Sequence, residues 1–178
     1  IRRMLDGLSD EHLHIYINSP GGSVFAGMAI YNMLSRYKGR KTVHVDGIAA
    51  SIASVIAMAG DTIEMPENTM LMIHRAWASV SGNTEELARY AELLAKVDNA
   101  VVSVYSERLN VTDDVERVIE LMSKESYLSA AETSTLFRGV SIKPPIQMAA
   151  CAKNAGAIYA ASLEYERLRL LEMKNIGG

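Results

Sequence analysis

The chain has 178 residues, the size of about one domain, and its 49% hydrophobic and 22% charged residues are enough for a core and too apolar for a disordered tail. A net charge of -3, from 18 basic and 21 acidic residues with no concentration of Lys and Arg, gives no support to nucleic-acid binding. The single cysteine, Cys151, excludes an internal disulfide and a thiolate zinc site and suits a reducing compartment.

Ile1-Arg2-Arg3-Met4-Leu5-Asp6 lacks the apolar core and cleavage site of a signal peptide, and a chain opening on Ile is expected to have lost upstream residues. His14-Ile15-Tyr16-Ile17 is a β-favouring run stopped by the turn formers Asn18-Ser19-Pro20-Gly21-Gly22. From Ser23, the apolar residues Phe25, Met28, Ala29, Met33 and Leu34 recur at helical spacing until Gly39. The same order follows again: Thr42 to Val45 predicts a strand, Asp46-Gly47 a turn, and Ala49 to Ala59 a buried helix stopped at Gly60. The longest apolar run, Ile48 to Gly60, is about 13 residues and too short to span a bilayer.

Thr62 to Met65 and Met70 to Ile73 predict two more strands joined by a turn at Pro66-Glu67-Asn68. Thr84 to Leu109 carries apolar residues at spacings of three and four over about seven turns, long enough for one end to project toward a partner chain. Thr112, before Asp113, Asp114 and Glu116, predicts the cap of a short helix reaching about Met122, and Ser129-Ala130-Ala131-Glu132 fits a capping box. After Pro144-Pro145 the last segment, Ile146 to about Met173, is again helical in pattern. Strand-like and helix-like runs in alternation predict an α/β layer fold.

Ser51 stands after a predicted strand at the start of a buried helix, where unpaired backbone N–H groups are available to an oxyanion. A serine hydroxyl needs a base to become a nucleophile, and otherwise Ser51 and Ser54 serve as small residues that let the helix pack closely. His74 follows the run Met70-Leu71-Met72-Ile73, at a strand end where side chains face a cleft, and neutral imidazole is the usual general base near neutral pH. His12, His14 and His44 compete for that role, but His14 and His44 lie inside predicted strands. Gly21-Gly22 permits close approach of backbone to a substrate, whereas the absence of a following Gly-Lys-Ser/Thr excludes a phosphate loop. A carboxylate is needed to orient the base, and Glu125, Asp98, Asp113 and Asp114 are all available.

Taken together, these residues resemble the ClpP family of serine peptidases. Ile15-Tyr16-Ile17-Asn18-Ser19-Pro20-Gly21-Gly22-Ser23-Val24, followed by Ala26-Gly27, looks like the family's oxyanion-loop motif. Gly47-Ile48-Ala49-Ala50-Ser51-Ile52-Ala53 looks like its nucleophile motif and Met72-Ile73-His74 like its histidine motif, in the right order. The likeness runs from about His14 to Glu132. It implies Ser51 as nucleophile, His74 as general base, and the N–H groups of Gly22 and Ile52 as oxyanion donors. The family's orienting carboxylate precedes an aromatic and Leu-Ser-Ala, a place held here by Glu125 in Glu125-Ser126-Tyr127-Leu128-Ser129-Ala130, where housekeeping enzymes have Asp. Glu at this place resembles the phage-encoded branch, which processes capsid or scaffold proteins during head maturation. Thr133 to Val140 departs from the family's usual turn into a last strand, so a different C-terminal edge is expected.

The fold implied is a ClpP/crotonase-like spiral of ββα units, with residues 1–178 as one domain, a core over about 14–132, a long projecting helix over about 84–109 and a divergent helical segment over about 146–173. The resemblance implies a polypeptide substrate, assembly of copies into a ring, seven-membered or stacked in pairs, no cofactor and no metal, and no nucleic-acid or membrane partner. The family's N-terminal pore-loop segment, which engages an unfoldase, has no counterpart here, so an ATPase partner is not expected. The location implied is the bacterial cytoplasm or a phage procapsid. Three other readings stay open: a catalytically silent ring or scaffold protein, a housekeeping ATP-dependent Clp subunit, and a crotonase-type acyl-CoA enzyme, which gives Ser51 and His74 no paired role.

Overall fold

A computed structural model describes residues 5, 7, 8 and 11–145, among which six strands build one sheet. In β1 (Leu13–Ser19), Leu13, Ile15 and Ile17 turn toward the core while His14 and Tyr16 face solvent, as the period of two requires. Helix α1 (Val24–Arg36) starts at Ser23, whose hydroxyl accepts the Ala26 N–H, and ends short of the expected Gly39.

Strand β2 (Lys41–Ala50) organises the sheet. Asp46-Gly47, expected as a turn, lies inside it, because β2 changes partners there without leaving the ladder. Its first half, Thr42–His44, pairs with β3 (Thr62–Pro66), and its second half, Ile48–Ala50, pairs with β4 (Met70–Ile73), both parallel. The turn at Pro66-Glu67-Asn68, closed by the Thr69 N–H on the Pro66 carbonyl, carries the chain from one half to the other. Strand β1 runs parallel along the remaining edge of β2 with a register shift at Asn18. There the Asn18 carboxamide oxygen accepts the Ile48 N–H at 3.2 Å. Ala49 and Ala50, expected to open a helix, are strand residues because they lie opposite Leu71 and Met72. The buried helix α2 therefore shortens to Ile52–Ala57.

Helix α3 (Thr84–Ser106) has 23 residues, about 34 Å of rise. It opens on a capping box between Asn83 and Glu86 and stops before the expected Leu109, which turns away to bridge Phe137. Residues 78–93 are exposed throughout, Leu87, Tyr90 and Leu93 among them, while Val101, Val104 and Tyr105 are buried. The helix is rooted in the core at its C-terminal end and projects at the other. Thr112, expected as a cap, sits inside a single 3₁₀ turn, Thr112–Asp114, with no side-chain cap bond. Helix α4 (Val115–Ser123) follows it.

Strand β5 (Ser126–Ser129) joins β4 antiparallel and, with the last strand β6 (Val140–Lys143), completes the order β5-β4-β2-β3-β6. Helix α5 (Ala130–Leu136) begins with the Ser129/Glu132 capping box that the spacing predicts. The chain then turns through Gly139, at φ +79°, into β6 (Val140–Lys143), parallel to β3, so the fold runs on past Glu132 and closes on a last strand. Val43, Val45, Ile63, Leu71 and Ile73 of the sheet pack with Val55, Tyr105, Val118, Leu136 and Phe137 in one core. The result is a mixed α/β fold with a curled sheet, the class expected from the alternating pattern. The helical segment expected over 146 to about 173, and Cys151, lie outside the described residues.

Candidate active site

Strands β2 and β4 are parallel neighbours with Ala50 opposite Met72, so the residues that follow them emerge side by side at one sheet edge. Functional clefts in α/β sheets form outside such carboxyl ends. The Ser51 N–H donates to the Met72 carbonyl at 2.9 Å, locking the two chain ends together. Ser51 Oγ then lies 2.7 Å from His74 Nε2, across 23 residues of sequence.

Ser51 adopts φ 55° and ψ -129°, backbone that a non-glycine residue rarely takes and that costs on the order of 1–3 kcal/mol. The sharp strand-to-helix turn this makes lifts Oγ out of the sheet into an open cleft. Pro20, Gly22, Val24, Met72, His74, Ala76, Trp77 and Glu125 line that cleft with Ser51. Ile52 is the first residue of α2, so its N–H lies outside the helix's own hydrogen-bond ladder. The Gly22 N–H has no backbone partner among the described residues. Serine, imidazole and both expected donor residues thus meet in one place.

Glu125 reaches the same cleft by a different route. On the β4–β5 ladder Ile73 pairs with Ser126, so one step further brings Glu125 level with His74. Glu125 leaves the ladder at φ 50°, is exposed, and among the described residues its carboxylate makes no hydrogen bond to His74. The other acidic candidates are elsewhere. Asp98 Oδ1 accepts the Ala76 N–H at 2.7 Å and anchors the segment after His74 from α3, lining a separate hollow with Arg75. Asp113 and Asp114 lie in the 3₁₀ turn. His14 and His44 are hydrogen-bonded to each other at 2.9 Å, and His12 to Thr42 at 2.9 Å, along the first halves of β1 and β2, and none of the three histidines lines the cleft.

The structure gives Gly21 and Ser54 contacts that their residue type alone does not specify, and it adds Trp77 and Tyr105 to the surroundings of the serine. Gly21, at φ +102°, is the glycine that touches the serine: a Cβ there would fall 2.7 Å from Ser51 Cβ. Its N–H donates to Ser19 Oγ at 3.1 Å, which tightens the loop. Trp77, the only tryptophan, is 75% exposed on the cleft wall. Ser54 and Tyr105 lie beneath the site, hydrogen-bonded at 2.7 Å, and burial holds the Tyr105 hydroxyl above its ordinary pKa against the opposing effect of Ser54. The i, i+3 spacing of Ser51 and Ser54 is visible in the sequence; Tyr105 is not.

A model of the Clp protease family matches residues 4–136, a stretch that holds every residue of the cleft. The chain belongs to the Clp protease family. It is 32% identical over 126 residues to the ATP-dependent Clp protease proteolytic subunit of Deinococcus radiodurans, covering 69% of this chain and 60% of that protein. The subunit of the same name from Chlorella vulgaris is 36% identical over 126 residues, covering 69% of this chain and 61% of that protein. That of Ligilactobacillus salivarius is 31% identical over 127 residues, covering 70% and 63%. The chain thus matches about three-fifths of the length of these curated relatives. Among the described residues of this Clp-family chain no helix is long and apolar enough to cross a membrane, and no group of three or more His, Cys, Asp or Glu side chains can hold a metal ion.

Proposed function

We propose that the protein is a serine endopeptidase that cleaves peptide bonds through an acyl-enzyme on Ser51. The observation that carries this reading is the 2.7 Å approach of His74 Nε2 to Ser51 Oγ at the strained end of β2. With the imidazole neutral and its proton on Nδ1, Nε2 accepts the hydroxyl proton as Oγ attacks the scissile carbonyl. The carbonyl π electrons move to oxygen, and the N–H groups of Gly22 and Ile52 receive the oxyanion. Collapse of the tetrahedral adduct expels the amine, which takes the proton from Nε2. Water then repeats the sequence and releases the acid.

The protonated imidazole needs a negative partner at Nδ1, and Glu125 is the acidic residue that shares the cleft. Its extra methylene relative to Asp gives the carboxylate the reach to swing onto Nδ1. Substrate polypeptide lies extended beside β1 and its Pro20–Gly22 loop, with main-chain hydrogen bonds that ignore side-chain identity. The projecting half of α3, with Leu87, Tyr90 and Leu93 exposed, serves assembly with further copies into a ring.

Glu125 in the acid's place favours a finer reading, processing of capsid or scaffold proteins in a phage, over that of the proteolytic subunit of an ATP-dependent Clp protease, the name the relatives carry. The missing hydrogen bond between Glu125 and His74 favours a second reading, a catalytically silent ring or scaffold protein. Intact mass after treatment with a fluorophosphonate separates the two. The peptidase gains a single adduct that Ser51→Ala abolishes, whereas a folded, assembled protein that gains none is the scaffold.

A further inference from the structure

We infer that Ser54 and Tyr105 are positioning residues that aim the Ile52 N–H into the cleft by holding the opposite end of the same peptide unit. The inference rests on the peptidase reading above and deepens it.

The peptide joining Ser51 to Ile52 is planar and trans, so its carbonyl and its N–H point in opposite directions. Whatever grips the Ser51 carbonyl oxygen therefore sets the direction of the Ile52 N–H. Two donors grip it: the Ser54 N–H at 3.0 Å and the Ser54 hydroxyl. The backbone bond is an ordinary helical-turn contact; the hydroxyl bond is an addition supplied by this side chain. A carbonyl can only accept, so the one Ser54 proton is committed to Ser51 O. Tyr105, 2.7 Å from Ser54 Oγ, must then be the donor in their contact.

Tyr105 is fixed on the far side as well. It is fully buried, its ring lies 5.7 Å from that of Phe137, and it belongs to the rooted end of α3. It also lines a small recess with Ser51, Ile52, His74 and Ala76, directly behind the cleft. A continuous path thus runs from the core end of α3 through Tyr105 Oη and Ser54 Oγ to Ser51 O. Ser51 holds a φ of 55°, which persists only where surrounding contacts over-determine it, and this path is one such constraint.

A purely structural role and a positioning role make different predictions for three variants. Ser54→Ala removes the grip on Ser51 O and leaves the buried Tyr105 hydroxyl without a partner, so it loses both thermal stability and reactivity. Tyr105→Phe keeps the ring and leaves Ser54 still able to donate, so it slows the enzyme less. The double variant Ser54→Ala/Tyr105→Phe has no orphaned hydroxyl and regains stability, yet it stays as slow as Ser54→Ala because the grip is still absent.

The experiment is the second-order rate of fluorophosphonate labelling at Ser51 and the melting temperature, for the intact protein and the three variants. Expected are labelling rates about tenfold lower for Ser54→Ala and for the double variant and about threefold lower for Tyr105→Phe, with the double variant melting above Ser54→Ala. Labelling of all variants at the rate of the unaltered protein overturns the inference and leaves the peptidase reading intact. Recovery of rate together with stability in the double variant also overturns it, since the pair would then act through packing alone. An unaltered protein that does not label overturns the peptidase reading and this inference with it.

Discussion

Gly27 of α1 and Ile52 of α2 meet where the two helices cross, and a Cβ on Gly27 would overlap Cγ1 of Ile52. Ile52 supplies one of the two proposed oxyanion donors, so the crossing sets the depth at which that donor sits. Replacing Gly27 by Ala forces α2 or α1 to move. Overpacking of this kind costs about 1–3 kcal/mol, and a shift of the donor lowers the rate of Ser51 labelling by about tenfold or more. Thermal melting and fluorophosphonate kinetics on Gly27→Ala read both. A variant with unchanged labelling would show that the site does not depend on this crossing.

The two glycines of the loop before α1 carry different constraints. Gly21 combines φ +102° with a close approach to Ser51 Cβ and the Ala50 carbonyl, whereas Gly22, at φ +150°, has no atom within 4 Å of where a Cβ would stand. Gly21→Ala is therefore expected to reduce labelling by about 100-fold and Gly22→Ala by less, since its positive φ strains the loop but no neighbour stands where the Cβ would go. The reverse order would remove Gly21 from the support of Ser51.

Glu125 is the proposed orienting acid. Glu125→Gln keeps the shape of the side chain and removes its charge, so it is expected to lose most peptidase activity while the oligomer stays intact by gel filtration. Loss of the carboxylate from such a triad costs on the order of 10⁴ in turnover. A fully active Glu125→Gln enzyme would exclude the role. Asp113 and Asp114 would not inherit it, because the 3₁₀ turn that holds them lines no part of the cleft.

Away from the site, Asp61 ties the start of β2 to the turn before β3. Its carboxylate accepts the Lys41 backbone N–H at 2.7 Å and lies 3.3 Å from the Lys41 ammonium. Burial alone would raise its pKa, but the Lys41 N–H and charge, with Arg108 nearby, hold it below the ordinary 3.8. A depressed carboxyl contributes stability above its ordinary pKa and loses it as pH falls through the lower folded value. Asp61→Asn keeps an acceptor for the N–H and removes the charge. Its stability should fall below that of the parent at pH 7, by about 1 kcal/mol or less because the carboxylate is half exposed even though the Lys41 side chain is buried, and the gap should narrow at about pH 3, below the ordinary carboxyl value of 3.8. Parallel melting curves at both pH values would show that the charge contributes nothing.

The sequence by itself determined the local elements and the motifs. The strand over His14–Ile17 and the capping box at Ser129/Glu132 are set by contacts within a few residues, so residue type and spacing record them. Ser51 is legible as a candidate because it stands at the start of a run that reads as a buried helix, and His74 because it follows a run that reads as a strand, both of them local features. What only the tertiary structure decided is which distant residues meet. The exchange of β2 from β3 to β4 at Asp46-Gly47 reads locally as a turn, since the hydrogen bonds that keep it extended come from other strands. The motif that Glu125 precedes singles it out from Asp98, Asp113 and Asp114, but it is the pairing of Ser126 with Ile73 that brings it level with His74. The path from Tyr105 to Ser51 O joins α3 to α2 through Ser54, and of its links only the Ser51/Ser54 spacing of three shows in the sequence, not the contact with Tyr105. Strand register and side-chain contact are fixed by the free energy of burying the whole core at once, and no short stretch of chain encodes that sum.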